Sequence, residues 1–132
     1  MQSSRPGSLT NSATDKYVDV NGLRLHYRDW GGSGDFVVLL HGLASNCRYW
    51  DLAAPFLTRN FAVVALDQRG HGSSDKPESG YDFATVADDV LGFLQAIGAE
   101  WPLIVGHSWG GNVALELAAR HPSVPRALCL VD

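Results

Sequence analysis

Residues 103–119 have the sequence LIVGHSWGGNVALELAA, in which an apolar run ends at a glycine-flanked serine and good helix formers follow. A buried strand that turns sharply into a helix holds the corner residue, here Ser108, clear of the backbone. Such a turn crowds the positions two before and two after the corner. Gly106 and Gly110 leave both positions without side chains, and Gly111 allows the helix to approach the sheet closely. The stretch therefore predicts a strand, a corner and a helix that together present a serine hydroxyl.

The chemistry of this corner is that of a serine nucleophile. A serine hydroxyl attacks a carbonyl carbon only when it is accessible and a base removes its proton. The oxyanion that then forms needs hydrogen-bond donors nearby. The backbone N–H of Trp109 lies at the start of the helix, where it has no partner within the helix. The pattern predicts Ser108 as the catalytic nucleophile and the Trp109 N–H as an oxyanion-hole donor.

Short apolar runs alternate with helical segments along the rest of the chain. Predicted strands cover residues 36–40, 61–66, 102–106 and 127–131, and predicted helices cover segments near 46–58, 83–98 and 109–120. The four strands are continuously apolar, as is typical of parallel strands with both faces covered. Upstream, the runs 17–20 and 23–30 flank Asn21-Gly22, a dipeptide suited to a two-residue hairpin turn. The sequence predicts an α/β domain whose mostly parallel sheet begins with an antiparallel hairpin.

Three motifs follow predicted strands in an order that resembles the α/β-hydrolase fold family. They are His41-Gly42-Leu43, the loop DQRGHGSSD at 67–75, and GHSWGG at 106–111. The resemblance covers roughly residues 17–132. It implies that the backbone N–H of Leu43 is the second oxyanion-hole donor, and that the protein hydrolyses a small ester-like substrate through an acyl-enzyme on Ser108. Serine at the corner argues against the dehalogenase and epoxide hydrolase branches of the family, which attack through a carboxylate.

The resemblance also bears on cofactors, and other residues near the predicted site can be interpreted from their positions. The resemblance implies no metal and no organic cofactor, and the sequence contains no cysteine and histidine cluster with ligand spacing. Asp67, Arg69 and His71 are interpreted as residues that tie loops together at the carboxyl ends of strands, and not as catalytic groups. Trp50, Trp109 and Leu43 indicate an apolar lining of the substrate site.

The base and the acid of a catalytic triad are not evident in the chain. In this family the order along the chain is serine, acid, histidine, and His121 is the one histidine after Ser108. His26 and His121 are expected at the surface. Asp132 follows the last predicted strand, where some relatives carry their acid, and is the candidate acid. We therefore expect residues 15–132 to be the N-terminal part of the hydrolase core, with the lid and the C-terminal part, which would carry the histidine, absent.

Composition restricts the remaining classes of function. The 132 residues carry a net charge of −4 with no block of like charge, which gives no surface suited to nucleic acid or to an anionic membrane. No apolar run is long enough to span a bilayer. Residues 1–14 are polar and lack a signal-peptide core, so they predict a flexible tail. Cys47 and Cys129 predict free thiols in a reducing compartment, and hence a location in the cytoplasm.

Two alternatives to an enzyme remain open from the sequence. The first is a non-catalytic binding protein that keeps the α/β-hydrolase sheet and has lost the triad. The second is a fragment that functions only with a separate chain carrying the other half of the fold. The apolar run 127–131 fits the second alternative, because an apolar strand with a bare edge favours association.

Overall fold

The computed structural model describes residues 12–132, which form one six-stranded sheet flanked by helices. The strands are β1 (Thr14–Val20), β2 (Leu23–Gly31), β3 (Phe36–Leu40), β4 (Ala62–Leu66), β5 (Leu103–His107) and β6 (Ala127–Val131). The helices are α1 (Ala54–Leu57), α2 (Phe83–Ile97) and α3 (Trp109–Arg120), and a 3₁₀ turn covers Cys47–Trp50. The predicted tail 1–14 lies outside the described residues except at its end, where Thr14 already belongs to β1. Among residues 12–132, no helix combines the length and the apolar character that crossing a membrane requires.

The strand order across the sheet is β1-β2-β4-β3-β5-β6. The last four strands run parallel to one another, whereas β1 pairs with β2, and β2 with β4, in antiparallel orientation. Asn21 and Gly22 form the turn between β1 and β2 with φ of 52° and 79°, values that asparagine and glycine tolerate. The predicted mostly parallel sheet with an N-terminal antiparallel hairpin is confirmed. Because β3, β4 and β5 are parallel, the loops that follow them meet at one edge of the sheet.

The segment predicted as one helix near 46–58 is instead a 3₁₀ turn followed by the four-residue α1. Asn46 caps the 3₁₀ turn, since its Oδ1 accepts a hydrogen bond from Arg48 N at 2.9 Å. Pro55 lies at the start of α1 and has no N–H with which to continue a helix from the preceding turn. These two local features explain why the crossover from β3 to β4 is divided.

Two apolar cores lie on opposite faces of the sheet. Alternate residues of a strand point to opposite faces, and accordingly Val38 belongs to the first core and Leu39 to the second. Helices α2 and α3 cover the first core, while the 3₁₀ turn and α1 cover the second with Trp50 and Ala54. The expectation that the parallel strands are covered on both faces is therefore confirmed for the central strand β3 and for β4.

Strand β6 is less covered than the central strands. It is the last strand in the sheet order, and its Leu130 and Val131 side chains are exposed by 49% and 38%. Among residues 12–132 no strand pairs with the outer edge of β6, which agrees with the bare edge expected for the apolar run 127–131. An apolar run indicates that a strand can be buried, but the elements that cover it are set by tertiary packing.

Gly98 ends α2 in the left-handed region of the backbone, with φ of 72°. A Cβ at this position would meet no atom within 4 Å, so alanine there is penalised by backbone strain alone. We expect Gly98→Ala to lower the free energy of unfolding by about 1 kcal/mol, measured by urea denaturation. Gly98→Asn is the matched control and should lose less, because asparagine tolerates this region. Equal losses in the two variants would contradict the role given to this backbone conformation.

Candidate active site

Ser108 lies at the corner between β5 and α3, with φ of 52° and ψ of −115°. Such a conformation costs a residue other than glycine about 1–3 kcal/mol, and it persists only where the surrounding fold enforces it. Here the backbone approaches itself closely, because a Cβ on Gly106 would lie 2.5 Å from Gly110 O and 2.7 Å from the Cα of Gly111. The structure thus has the sharp corner expected from the sequence, with glycine where a side chain would not fit.

The Ser108 side chain is exposed at this corner and does not cap α3. Within residues 12–132 its hydroxyl makes no hydrogen bond. The backbone N–H of Ser108 donates to Val131 O at 2.9 Å, and its carbonyl accepts from Gly111 N at 2.8 Å. The backbone therefore fixes the corner, the hydroxyl is available to a reactant, and Trp109 N occupies the first position of α3.

The loop after β3 begins with His41, which is fully buried. Its Nδ1–H donates to Gly42 O at 2.7 Å, and its Nε2 accepts from Gln68 N at 3.1 Å. The side-chain amide of Gln68 donates in turn to His41 O at 2.8 Å. Both ring nitrogens of His41 are engaged, so this residue holds the loop and is not free to act as a base.

His41 gives the protein a predictable pH dependence. Burial lowers its pKa from the ordinary 6.5 to about 4, and the hydrogen bond to Gly42 O offsets only part of that effect. Because the unfolded chain binds this proton more readily than the folded protein, the contribution of His41 to stability is complete above pH 6.5 and is lost as the pH falls toward 4. We expect a loss of roughly 3 kcal/mol across this window, measured by urea denaturation at each pH. His41→Asn should flatten the dependence and His121→Asn should not; the same slope in both variants would refute this assignment.

His71 supports the same loop from its other side. Its Nδ1–H donates to Arg69 O at 2.9 Å, so its Nε2 accepts the Ala44 N–H at 3.1 Å. Ala44 has φ of 60°, a value that is rare for a residue other than glycine, so the backbone of this loop is constrained there. Leu43 precedes it, is 65% exposed, and its own N–H takes no part in these bonds. The loop therefore holds the Leu43 N–H in an anchored segment at the same edge of the sheet as the corner.

The Trp109 ring provides apolar surface beside the corner. Its centroid lies 5.6 Å from that of His71 and 5.9 Å from that of Phe83. Trp50, which was expected in the same lining, is 6% exposed and belongs to the second core. The expectation is wrong for Trp50 because the 3₁₀ turn packs its indole against the opposite face of the sheet.

The remaining histidines make no bond to the nucleophile. His26, expected at the surface, is 6% exposed, because the loop after β4 closes over it and supplies a buried carboxylate. That expectation is wrong. His107 stacks on Tyr49 with ring centroids 4.5 Å apart. His121 directly follows α3, about 20 Å along the helix axis from Ser108. Among residues 12–132, no histidine is hydrogen-bonded to the Ser108 hydroxyl.

A cavity of about 340 Å³ opens beside the corner. Its lining consists of Ser108, Gly111, Asn112, Leu115, Leu130, Val131 and Asp132. Asp132 thus lines the same cavity as the nucleophile, from the end of β6. Its role as the triad acid stays a prediction, because within residues 12–132 no histidine bridges Asp132 and Ser108.

The loop after β4 is hydrogen-bonded to β2, to the 3₁₀ turn and to α2. These bonds confirm that its charged residues hold segments of the fold together. Arg69 forms a two-point ion pair with the buried carboxylate of Asp89 in α2, with Nε to Oδ2 at 2.7 Å and Nη2 to Oδ1 at 3.1 Å. These bonds raise the pKa of Arg69. Burial would raise the pKa of Asp67, but hydrogen bonds from Ser73 N and Cys47 N outweigh it and lower that pKa. The partner Asp89 was missed from the sequence, because one aspartate on a helix gives no sign of burial.

The fold also assembles a group of potential metal ligands that no spacing in the sequence shows. His26, Cys47 and Asp67 are buried, and one ligand atom from each lies within 4.8 Å of the others. Cys47 and Asp67 are 21 and 41 residues from His26 along the chain. The sequence has no cysteine and histidine cluster with ligand spacing, and the fold forms this group from three distant segments instead. Both cysteines are free, Cys47 buried and Cys129 exposed.

Comparisons with known proteins agree with this architecture. A family model described as alpha/beta hydrolase fold matches residues 35–132. The chain is 36% identical over 115 residues to a 2-(acetamidomethylene)succinate hydrolase of Mesorhizobium japonicum, and 36% identical over 124 residues to a soluble epoxide hydrolase of Corynebacterium sp. (strain C12). These matches cover 87% and 94% of this chain but 41% and 43% of the relatives. The chain therefore spans about two-fifths of the length of these curated relatives.

A solved structure has a similar fold and is likewise matched over only part of its length. The crystal structure of a membrane phospholipase A, a bacterial virulence factor, matches with a TM-score of 0.87 at 36% sequence identity. The match covers 92% of this chain and 40% of that one.

Proposed function

The chain belongs to the α/β-hydrolase fold family, and from this membership we propose that it carries the nucleophile of a serine hydrolase that cleaves an ester-like carbonyl substrate. The observation that carries the proposal is the exposed Ser108 hydroxyl at a corner with φ of 52°. Two backbone groups near it support the proposal. Trp109 N begins α3, and Leu43 N lies in a loop that buried hydrogen bonds hold in place.

In the proposed reaction the Ser108 Oγ attacks the carbonyl carbon while a base takes the hydroxyl proton. The carbonyl oxygen becomes an oxyanion that accepts hydrogen bonds from the Leu43 and Trp109 N–H groups. Collapse of this intermediate expels the alcohol, which receives the proton from the base, and leaves an acyl group on Ser108. Water, deprotonated by the same base, then attacks the acyl carbonyl, releases the carboxylic acid and restores the serine.

We place the base outside residues 12–132. His26, His41 and His71 use their ring nitrogens to hold strands and loops. His107 stacks on Tyr49, and His121 lies at the far end of α3. A base must come within hydrogen-bond distance of the hydroxyl. Asp132 remains the candidate acid, because it lines the cavity into which such a histidine would have to enter.

The proposed nucleophile favours one of the chemistries that the relatives' names suggest. Those names include an epoxide hydrolase, a hydrolase of 2-(acetamidomethylene)succinate and a phospholipase A. The epoxide hydrolase branch attacks through a carboxylate, whereas this chain has Ser108 at the corner. A serine that forms an acyl-enzyme suits an ester-like substrate, and the phospholipase A neighbour fits that choice.

A fluorophosphonate probe applied to the full-length protein tests this proposal. An activated serine forms a covalent phosphonate ester, so we expect one adduct, mapped by mass spectrometry to the peptide that contains Ser108. Heat-denatured protein should show no adduct, because the reaction requires the folded site. Absence of labelling in the folded protein would reject the hydrolase and favour a non-catalytic binding protein. Labelling that required a separately added chain would favour the complementary fragment.

A further inference from the structure

We propose that His26, Cys47 and Asp67 form a binding site for a divalent transition-metal ion of the zinc class. His26 Nδ1 lies 2.7 Å from Asp67 Oδ2 and 3.9 Å from Cys47 Sγ, and all three side chains are buried. This metal site uses neither Ser108 nor the loop after β3, so it does not depend on the proposed hydrolase activity.

The donor set matches the preferences of zinc. Imidazole nitrogen, thiolate sulfur and carboxylate oxygen are the ligands that Zn²⁺ binds, at about 2.0–2.3 Å in tetrahedral geometry. Ligand atoms around such an ion are roughly 3.3–3.8 Å apart. The three atoms in this cluster lie within 4.8 Å of one another, so each needs to move by less than about 1 Å to bind the ion.

The atoms that surround the three ligands are placed as in an orienting outer shell. His26 Nε2 lies 3.0 Å from Asp15 Oδ1, which fixes the ring with Nδ1 toward the other two ligands. Asp67 Oδ1 accepts from Cys47 N at 2.7 Å, and Asp67 Oδ2 accepts from Ser73 N at 2.9 Å. Carboxylates bound to a ligating histidine, and hydrogen bonds to a ligating carboxylate, orient ligands in metal sites.

The surroundings of the cluster also suit a cation. Both ring nitrogens of His26 face carboxylate oxygens, Asp67 Oδ2 at 2.7 Å and Asp15 Oδ1 at 3.0 Å. Cysteine binds a metal as the thiolate and histidine through an unprotonated nitrogen, so binding of an ion to this cluster would release protons.

Solvent reaches the cluster through a cavity of about 280 Å³. Its lining includes all three ligands together with Asp15, Tyr17, Asn46, Arg48, Gly72 and Ser73. The cavity gives the ion access and leaves room for water as a fourth ligand. The nearby cation Arg28 is compensated by Asp15 at 3.1 Å and Asp51 at 3.3 Å. A bound ion would join β2, the 3₁₀ turn and the loop after β4, and would therefore stabilise the fold.

The test is a titration of the metal-free, reduced full-length protein with Co²⁺, whose absorption reports its ligands. We expect one equivalent to bind, with visible bands of a tetrahedral ion and a near-ultraviolet charge-transfer band from thiolate, and with release of protons. Cys47→Ser should lose the charge-transfer band and weaken binding at least 10-fold. Cys129→Ser, which removes the exposed cysteine, is the matched control and should behave as the parent protein.

Thermal unfolding gives a second readout that requires no activity. Zn²⁺ at about 100 times its dissociation constant should raise Tm by about 10 °C in the parent protein and in Cys129→Ser, and by little in Cys47→Ser. His26→Gln, checked for folding by circular dichroism, should also lose the shift. Failure of Co²⁺ to bind, or equal binding and equal Tm shifts in Cys47→Ser and the parent protein, would overturn the proposal.

Discussion

Ser108→Ala in the full-length protein is expected to lower the hydrolysis of an activated ester such as p-nitrophenyl acetate by more than about 10⁴-fold. Alanine fits the corner without the hydroxyl, so the substitution removes the only oxygen that the proposed reaction can acylate. The backbone bonds from Ser108 N to Val131 O and from Gly111 N to Ser108 O remain. The variant should therefore fold with unchanged stability, which separates a chemical effect from a structural one.

Two variants serve as controls for the Ser108→Ala experiment. Ser33→Ala removes an exposed hydroxyl from the turn between β2 and β3, and it should leave turnover unchanged. Ser108→Cys keeps a nucleophile at the corner and should still form a covalent adduct with thiol reagents. If Ser108→Ala retained ester turnover within tenfold of the parent, another group would be the nucleophile, and the proposed acyl-enzyme would be wrong.

The corner could be predicted from sequence because its determinants are local. Gly106, Ser108 and Gly110 lie within five consecutive residues, and the apolar run before them and the helix formers after them fix the direction of the chain. The hairpin turn at Asn21 and Gly22 is local in the same sense. Periodicity and turn residues determine such features before any tertiary contact forms, and for that reason the elements could be predicted in their order along the chain.

What could not be predicted depends on contacts between distant segments. His26 was expected at the surface, but Asp67, 41 residues later, accepts its Nδ1–H and buries it. Trp50 was expected in the substrate lining, but it packs in the second core. Asp89 has no sequence feature that indicates burial, but in the fold Arg69 pairs with its buried carboxylate. Each of these side-chain types is compatible with a buried or an exposed position. The element that packs against the residue determines which position it takes.

Gly110→Ala is expected to destabilise the protein by more than about 3 kcal/mol, or to prevent its folding. A Cβ on Gly110 would collide with the carbonyl oxygens of His41 and Leu40, the latter at 2.6 Å. Neither oxygen can move easily, because Leu40 belongs to the central strand β3, paired with both β4 and β5, and His41 O accepts from the Gln68 side-chain amide. The α3 helix would have to withdraw from the sheet, and the corner at Ser108 would open with it. The urea midpoint and the yield of soluble protein measure this effect.

Gly111→Ala is the matched control for this prediction. A Cβ there would come no closer than 3.3 Å to another atom, Gly106 O, and alanine is the better helix former. We expect a change within about 1 kcal/mol. Gly110 and Gly111 are adjacent in the first turn of α3, so helix propensity cannot separate them. A large loss confined to Gly110→Ala would therefore identify the contact with β3 as the constraint that holds the serine at its corner, whereas equal losses in both variants would assign the constraint to the helix itself.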